Sequence, residues 1–207
     1  MQRYLATLPR KAVAPTAIYA QAQGEQVARE AVNSEARSDV SAWAFSEQKW
    51  QPETAAQVAL LREIAYEQLK AELRDKQLGV YSLKFETTFN PEHNRIESEL
   101  RFATMPDKAD DLWRLGESVL QKLPDTLNES HVQALKARLM EQEKQRVQSP
   151  ETWLNRLILS ETHLGDARYL RDMKQLANAI TLDNLRQTAK LLWNPQNRRV
   201  MMADPQK

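Results

Sequence analysis

Residues 79–102 read GVYSLKFETTFNPEHNRIESELRF, and this stretch contains the clearest strand patterns in the chain. Large apolar side chains alternate with polar ones in residues 81–89, and the same alternation resumes in residues 95–102. Alternation with a period of two is typical of a strand that buries one face. Pro91 and Asn94 lie between the two arms and suit a turn. The stretch therefore predicts an antiparallel hairpin with Tyr81 on its buried face.

Upstream of the hairpin the sequence predicts one long helix and two more strands. Pro52 lies in a position tolerated in the first turn of a helix. The helix it opens should face the core with Val58, Leu61, Ala65, Leu69 and Leu73, which recur at helical spacing. Extended segments are expected around residues 26–33 and 39–47. Trp43 and Phe45 share the face of the second segment opposite its small apolar residues, which predicts a strand covered on both sides.

The second half of the chain is predicted to be mainly helical. Helices are expected around residues 112–123, 130–139, 150–157, 167–179 and 182–192, with residues 198–203 returning as a final strand. Ser130 and Gln133 suggest a capping box, and Ser149 followed by Pro150 suggests an N-cap and first turn. The predicted fold class is α+β, with an antiparallel-dominated sheet carrying helices and a helical C-terminal half. We expect residues 1–207 to form a single domain in which residues 1–24 are a helix end and connector.

Composition excludes several classes of function. Lysine and arginine total 29 against 28 acidic residues, a formal net charge of +1, which disfavours a nucleic-acid-binding protein. No apolar run approaches the roughly 20 residues needed to cross a bilayer, so we expect no membrane span. The four glycines are isolated from one another, so a glycine-rich phosphate loop cannot be assembled.

The chain lacks the residues of a self-sufficient hydrolytic site. His93, His131 and His163 are its only histidines, and no two of them form the helical pair of a zinc protease, H-x-x-E-H or H-E-x-x-H. The chain has no cysteine, which excludes thiolate ligands and a thiol nucleophile. A G-x-S-x-G nucleophile elbow is also absent. We therefore predict no metal ligands and no catalytic residue within this chain.

One segment, residues 74–81 (RDKQLGVY), joins the end of the long helix to the first strand of the hairpin. Arg74 in the last helical turn and Tyr81 at the strand entrance could reach the same edge of the sheet. A guanidinium and a phenol placed together can bond a peptide carbonyl or stabilise a developing oxyanion. In the simpler interpretation, Arg74 is favoured by the helix macrodipole and Tyr81 packs in the core.

The same segment resembles a signature in the C-terminal half of the pitrilysin/insulinase family of zinc peptidases. The resemblance rests on Arg74, Gln77, Leu78, Gly79 and Tyr81 at their spacing. Further similarities follow in family order at residues 4–9 (YLATLP), 149–154 (SPETWL), 180–185 (ITLDNL) and 194–197 (NPQN). The likeness spans nearly the whole chain and is greatest to periplasmic bacterial members of the PqqL type.

The resemblance implies the C-terminal domain of a larger protease. In that family the zinc cofactor and its H-x-x-E-H helix belong to the N-terminal half, which this chain lacks, and the C-terminal half closes over it. Arg74 and Tyr81 match two residues that hold peptide or protein substrate in the cleft. The family also implies a periplasmic parent protein, whereas inactive members imply an alternative role as a structural or protein-interaction module.

The resemblance also has a consequence for the sheet. The family's last domain begins with a strand upstream of Met1, so the chain is expected to lack the first strand of its sheet. An unpaired strand edge invites pairing with another copy, so an edge-strand dimer is also expected.

Overall fold

The computed structural model describes residues 24–77, 79–171 and 175–206. The predicted connector before residue 24 and the motif at residues 4–9 lie outside these ranges, as does Leu78. The described strands are β1 (Gly24–Asn33), β2 (Ser38–Glu47), β3 (Val80–Asn90), β4 (Arg95–Thr104) and β5 (Asn197–Pro205). They form one five-stranded sheet in the order β1-β5-β2-β4-β3. The β1–β5 pair is parallel, and the other pairs are antiparallel.

Helices occupy the segments between β2 and β3 and between β4 and β5. They are α1 (Pro52–Leu69), a π-helix (Lys70–Lys76), a 3-10 turn (Pro106–Lys108), α2 (Ala109–Thr126), α3 (Glu129–Arg146), α4 (Pro150–Leu164), α5 (Arg168–Arg171), α6 (Leu176–Ala179) and α7 (Leu182–Leu192). The predicted α+β class with a mainly antiparallel sheet is confirmed. Among the described residues, no helix combines the length and apolar character that a membrane span requires.

The predicted hairpin is confirmed as β3 and β4, which pair antiparallel from Val80↔Thr104 to Asn90↔Arg95. Asn94 closes its turn with φ of 49°, in a left-handed region that asparagine tolerates better than most residues. The Asn94 side chain also accepts a hydrogen bond of 2.9 Å from the backbone N–H of Trp50. The turn is thereby tied to the segment that leads into α1.

The hydrophobic core lies between one face of the sheet and helices α1, α2 and α7. Leu61 and Leu69 of α1 are fully buried there, together with Leu100 of β4. Gly116 lets α2 approach closely, because a Cβ at that position would lie 3.1 Å from Leu100 Cδ2. The five residues predicted to face the core from this helical segment, Val58, Leu61, Ala65, Leu69 and Leu73, are all buried.

The opposite face of the sheet differs from the prediction of a strand covered on both sides. Trp43 and Phe45 are half-buried there. Their cover in the described part of the chain includes the guanidinium groups of Arg101, 5.9 Å from the Trp43 ring, and Arg95, 5.2 Å from the Phe45 ring. Arginine side chains of β4 thus shield aromatic rings of β2 through cation–π contacts.

One predicted cap is wrong and one is confirmed. Helix α3 begins at Glu129, so Asn128 is its N-cap in place of Ser130, and its side chain accepts from the N–H groups of Ser130 and His131. The His131 ring completes the capping box by accepting from the Asn128 N–H at 3.3 Å. Ser149 is the N-cap of α4 as predicted.

Candidate functional site

Arg74 lies in the π-helix that continues α1. This wider turn keeps Leu73 fully buried and leaves Arg74 exposed. The N–H of Gln77 bonds back to the Arg74 carbonyl and closes the segment. Single π-helical turns are frequent at functional sites. Within the described ranges, no side chain forms an ion pair or hydrogen bond with the Arg74 guanidinium.

Gly79 fixes the path from the π-helix into β3. The buried hydroxyl of Thr104 donates a 2.6 Å hydrogen bond to the Gly79 carbonyl. A Cβ at Gly79 would lie 3.1 Å from Cδ of Lys108, so the absence of a side chain lets the Lys108 stem pack over this turn. The entrance to β3 is therefore held by β4 and by the segment that follows it.

Tyr81 occupies a β-bulge. Val80 pairs with Thr104 and Ser82 pairs with Ala103, so Tyr81 is the extra residue of the bulged strand. Bulges re-aim side chains and are common next to active sites. The Tyr81 side chain is 61% exposed. The prediction that Tyr81 shares the buried face of the hairpin is therefore wrong, because the extra residue shifts the alternation, and the interpretation as a core tyrosine is wrong for the same reason.

The structure brings the elements carrying Arg74 and Tyr81 into contact, since the π-helix packs against the start of β3. No hydrogen bond or cation–π contact joins the two side chains in the part of the chain that is described. Both present donors to solvent: five guanidinium N–H groups and one phenolic O–H. This arrangement can bind carbonyl or carboxylate oxygens that another molecule or domain supplies.

Comparison with known proteins identifies the fold around this site. No protein-family model and no curated protein matches the chain. A solved structure of the ferredoxin protease FusC, a variant in complex with Arabidopsis ferredoxin, matches 99% of this chain with a TM-score of 0.91 and 36% sequence identity. The chain has the fold of an M16-type zinc-protease domain. The resemblance found in the sequence is thereby confirmed.

Two further solved structures share the fold of this M16-type domain. The periplasmic protease PqqL from Escherichia coli matches 90% of the chain with a TM-score of 0.75 at 18% identity. A peptidase M16 inactive domain from Pseudomonas fluorescens matches 90% with a TM-score of 0.69 at 14% identity. The chain spans only 23% of the FusC chain, 21% of the PqqL chain and 45% of the Pseudomonas chain.

The described residues of the M16-type domain do not fit a zinc ion. Within the described ranges there is no group of three or more His, Cys, Asp or Glu side chains that could hold a metal. The three histidines serve separate local structures. His93 lies in the hairpin turn 3.2 Å from the Asn90 amide, His131 caps α3, and His163 stacks on Trp50 with ring centroids 5.0 Å apart.

Sequence reasoning missed a second feature of the M16-type domain, the outward apolar face of α4. Four large apolar residues of this helix are between 39% and 57% exposed: Trp153, Leu154, Leu157 and Ile158. The inward face is polar, since the buried residues of α4 are Arg156 and Ser160. The sequence spacing of the four apolar residues shows that they share one face of α4, but it does not show that this face points outward.

Proposed function

We propose that this domain binds peptide or protein substrate for a zinc endopeptidase of which it forms the C-terminal part. The observation that carries the proposal is the exposure of Arg74 and Tyr81 at adjoining elements, with no partner among the described side chains for either polar group. The complex of FusC with a ferredoxin supports a protein as substrate. In this proposal zinc belongs to the N-terminal half of the parent protein.

The two residues have distinct roles in the proposal. The Arg74 guanidinium donates to a main-chain carbonyl of the substrate and fixes its register in the cleft. The Tyr81 phenol donates to the carbonyl oxygen that becomes negatively charged during hydrolysis. Both act on substrate held between the two halves, so neither group needs a partner within its own domain.

Replacing Arg74 with alanine tests this role. Because a hydrogen bond to a charged group contributes about 1.5–3 kcal/mol, the parent protease should lose roughly 10- to 100-fold in kcat/KM. Arg74 is exposed, so the free energy of unfolding should change by no more than about 1 kcal/mol. Arg114→Ala, which also removes an exposed arginine, is the matched control and should leave kcat/KM unchanged. An unaltered kcat/KM in Arg74→Ala would contradict the proposal.

We further propose that the N-terminal half of the parent covers the outward face of α4. A helix that buries Arg156 and exposes Leu154 and Ile158 has its apolar face available for another protein surface. The whole protein would then resemble a two-part enzyme in which this domain docks through α4. The parent is proposed to be periplasmic, as PqqL is.

Docking through α4 is tested by mixing this chain with the separately produced N-terminal half. Burying one leucine or isoleucine side chain stabilises an interface by roughly 1.5–3 kcal/mol. Leu154→Lys combined with Ile158→Lys should therefore weaken the complex by more than about 10²-fold in titration calorimetry. Asn155→Lys, exposed on the same helix outside the apolar face, should change the affinity little. Equal affinities for all three proteins would show that α4 lies outside the interface.

A second candidate function is that of an inactive interaction module of the same fold. The description of the Pseudomonas domain as inactive favours it. An inactive module needs folding and docking but no substrate contact. It therefore predicts that α4 variants impair assembly, whereas Arg74 and Tyr81 variants change nothing measurable.

A further inference from the structure

The strand that carries Tyr81 has an outer edge that no described strand covers. β3 lies at the end of the sheet and, among the described strands, pairs only with β4. Its outer edge therefore presents a row of backbone N–H and C=O groups without partners among the described strands, and such an edge is a template for another extended chain.

A groove runs beside this edge. It has a volume of about 380 Å³ and lies between α1 and residues 83–86 of β3. Tyr66 and Leu83 are half-buried in its lining and give it an apolar surface. The volume falls in the range of roughly 300–1,000 Å³ typical of ligand sites. The groove therefore offers space for a side chain next to the unpaired backbone.

One weak contact spans the groove. Arg62 of α1 donates to Glu86 of β3 at 3.1 Å, and the two side chains are 44% and 41% exposed. Ion pairs this exposed contribute little to stability. A ligand can displace the Arg62 side chain at small cost, because the guanidinium remains solvated in either position.

We propose that the β3 edge binds an extended peptide by strand addition, with one apolar side chain in the groove. This inference rests on the proposed function and names how substrate continues beyond Tyr81. Tyr81 precedes Leu83 by two residues on the same strand, about 7 Å at the rise of an extended chain. A peptide bonded by Tyr81 can thus run directly along the edge.

The charges around the groove indicate which peptides it prefers. Three acidic residues line it, Glu63, Glu67 and Glu86, and each forms an exposed ion pair with a basic neighbour: Arg138, Lys70, and both Arg62 and Lys84, respectively. Main-chain hydrogen bonds in strand addition are largely independent of sequence, and pockets for alternate side chains supply specificity. We therefore expect the groove to take an apolar side chain, and lysine or arginine residues that flank it can exchange into these weak, exposed ion pairs.

The experiment uses a fluorescein-labelled peptide of alternating valine and lysine and two versions N-methylated on alternate residues. In a paired strand, the N–H groups that face the partner belong to alternate residues. One methylated peptide should therefore lose at least about tenfold in affinity for the chain, while the other keeps its affinity within about twofold. In NMR spectra of the isotope-labelled protein, the backbone amide chemical shifts should change at residues 83–86 when the peptide is added.

Two protein variants locate the site. Leu83→Glu should weaken binding of the unmodified peptide by at least about tenfold, since it places a charge in the apolar part of the groove. Glu67→Lys, at an exposed position, reverses a rim charge without touching the core and should weaken binding by roughly three- to tenfold. Thr88→Glu, exposed on the same strand beyond the groove, is the control and should bind within about twofold of the unaltered chain.

Several outcomes would overturn the inference. They are equal affinities for the two methylated peptides, no binding at millimolar peptide, amide shifts confined to β1, or a dimer of the chain that pairs through β3 and excludes the peptide. The proposed function is tested separately, by measuring kcat/KM of the parent protease that carries Arg74→Ala. Peptide binding at residues 83–86 with unaltered turnover in that variant would reject the proposed function and keep the groove, and the reverse pattern would reject the groove alone.

Discussion

Replacing Tyr81 with phenylalanine in the parent protease is expected to lower kcat/KM by about 10²–10³-fold, the scale of losing a single oxyanion donor. The change removes one hydroxyl and keeps the ring. Tyr81 is 61% exposed at a bulge, and no described side chain bonds its phenol, so the described fold loses no side-chain hydrogen bond. The melting temperature should therefore stay close to that of the unaltered protein. Steady-state kinetics and thermal unfolding of the same preparations measure both quantities.

A double variant shows whether Arg74 and Tyr81 act on one substrate unit. If both groups hold the same peptide, Arg74→Ala combined with Tyr81→Phe should cost less than the sum of the two single effects on transition-state free energy. Tyr169→Phe is the control, since it removes the hydroxyl of a tyrosine packed against Trp50 near the start of α1, whereas Arg74 follows the end of that helix. It should leave turnover per folded molecule unchanged. Normal kcat/KM in both single variants would rule out the proposed roles.

The parts of the fold that sequence predicted are those that local interactions determine. The β3–β4 hairpin follows from alternation on both sides of a short turn, and Asn94 supplies the left-handed residue that the turn needs. The starts of α1 and α4 follow from Pro52 and from Ser149 with Pro150, whose preferences act within one helical turn. These signals need no knowledge of the rest of the chain.

The site itself depended on features that local patterns do not encode. In the π-helix, Leu73 is buried and Arg74 is exposed, which depends on how this segment packs on the core. The bulge at Tyr81 is a shift in the pairing of β3 with β4, so it depends on both strands. Alternation alone therefore placed Tyr81 on the buried face. The parallel β1–β5 pair joins residues more than 170 positions apart, beginning with Gly24 and Asn197, which periodicity cannot reveal. Family resemblance selected Arg74 and Tyr81, and the structure supplied their exposure.

The outward apolar face of α4 was the least predictable feature, because the side of the helix that packs inward is held by a polar contact. Arg156 forms two hydrogen bonds with Glu143 of α3, at 2.7 and 2.5 Å, and these side chains are only 6% and 13% exposed. The Arg156 guanidinium also lies 5.8 Å from the Tyr169 ring. Burial raises the pKa of the Tyr169 phenol, whereas the nearby Arg156 charge lowers it. We expect this buried pair to favour the orientation in which the apolar face of α4 points away from the core.

Arg156→Ala is accordingly expected to lower the free energy of unfolding by about 3–5 kcal/mol, the range for breaking a buried ion pair by removing one partner. The loss is large because the Glu143 carboxylate stays desolvated without a counter-charge. Urea unfolding measures the change, and hydrogen exchange should show the largest loss of protection in α4 and α5. Arg138→Ala breaks a pair with Glu63 whose side chains are 48% and 36% exposed, so this control should cost no more than about 1 kcal/mol.

Replacing both partners separates the ion pair from the packing around it. Arg156→Met with Glu143→Leu leaves no unpaired charge, and such apolar replacements are often neutral or stabilising. The double variant should therefore recover most of the stability that Arg156→Ala loses, and it should keep α4 docked through the contacts of Trp50 with His163 and Tyr169. A loss below about 1 kcal/mol in Arg156→Ala would show that those ring contacts, and not the ion pair, determine how α4 is oriented.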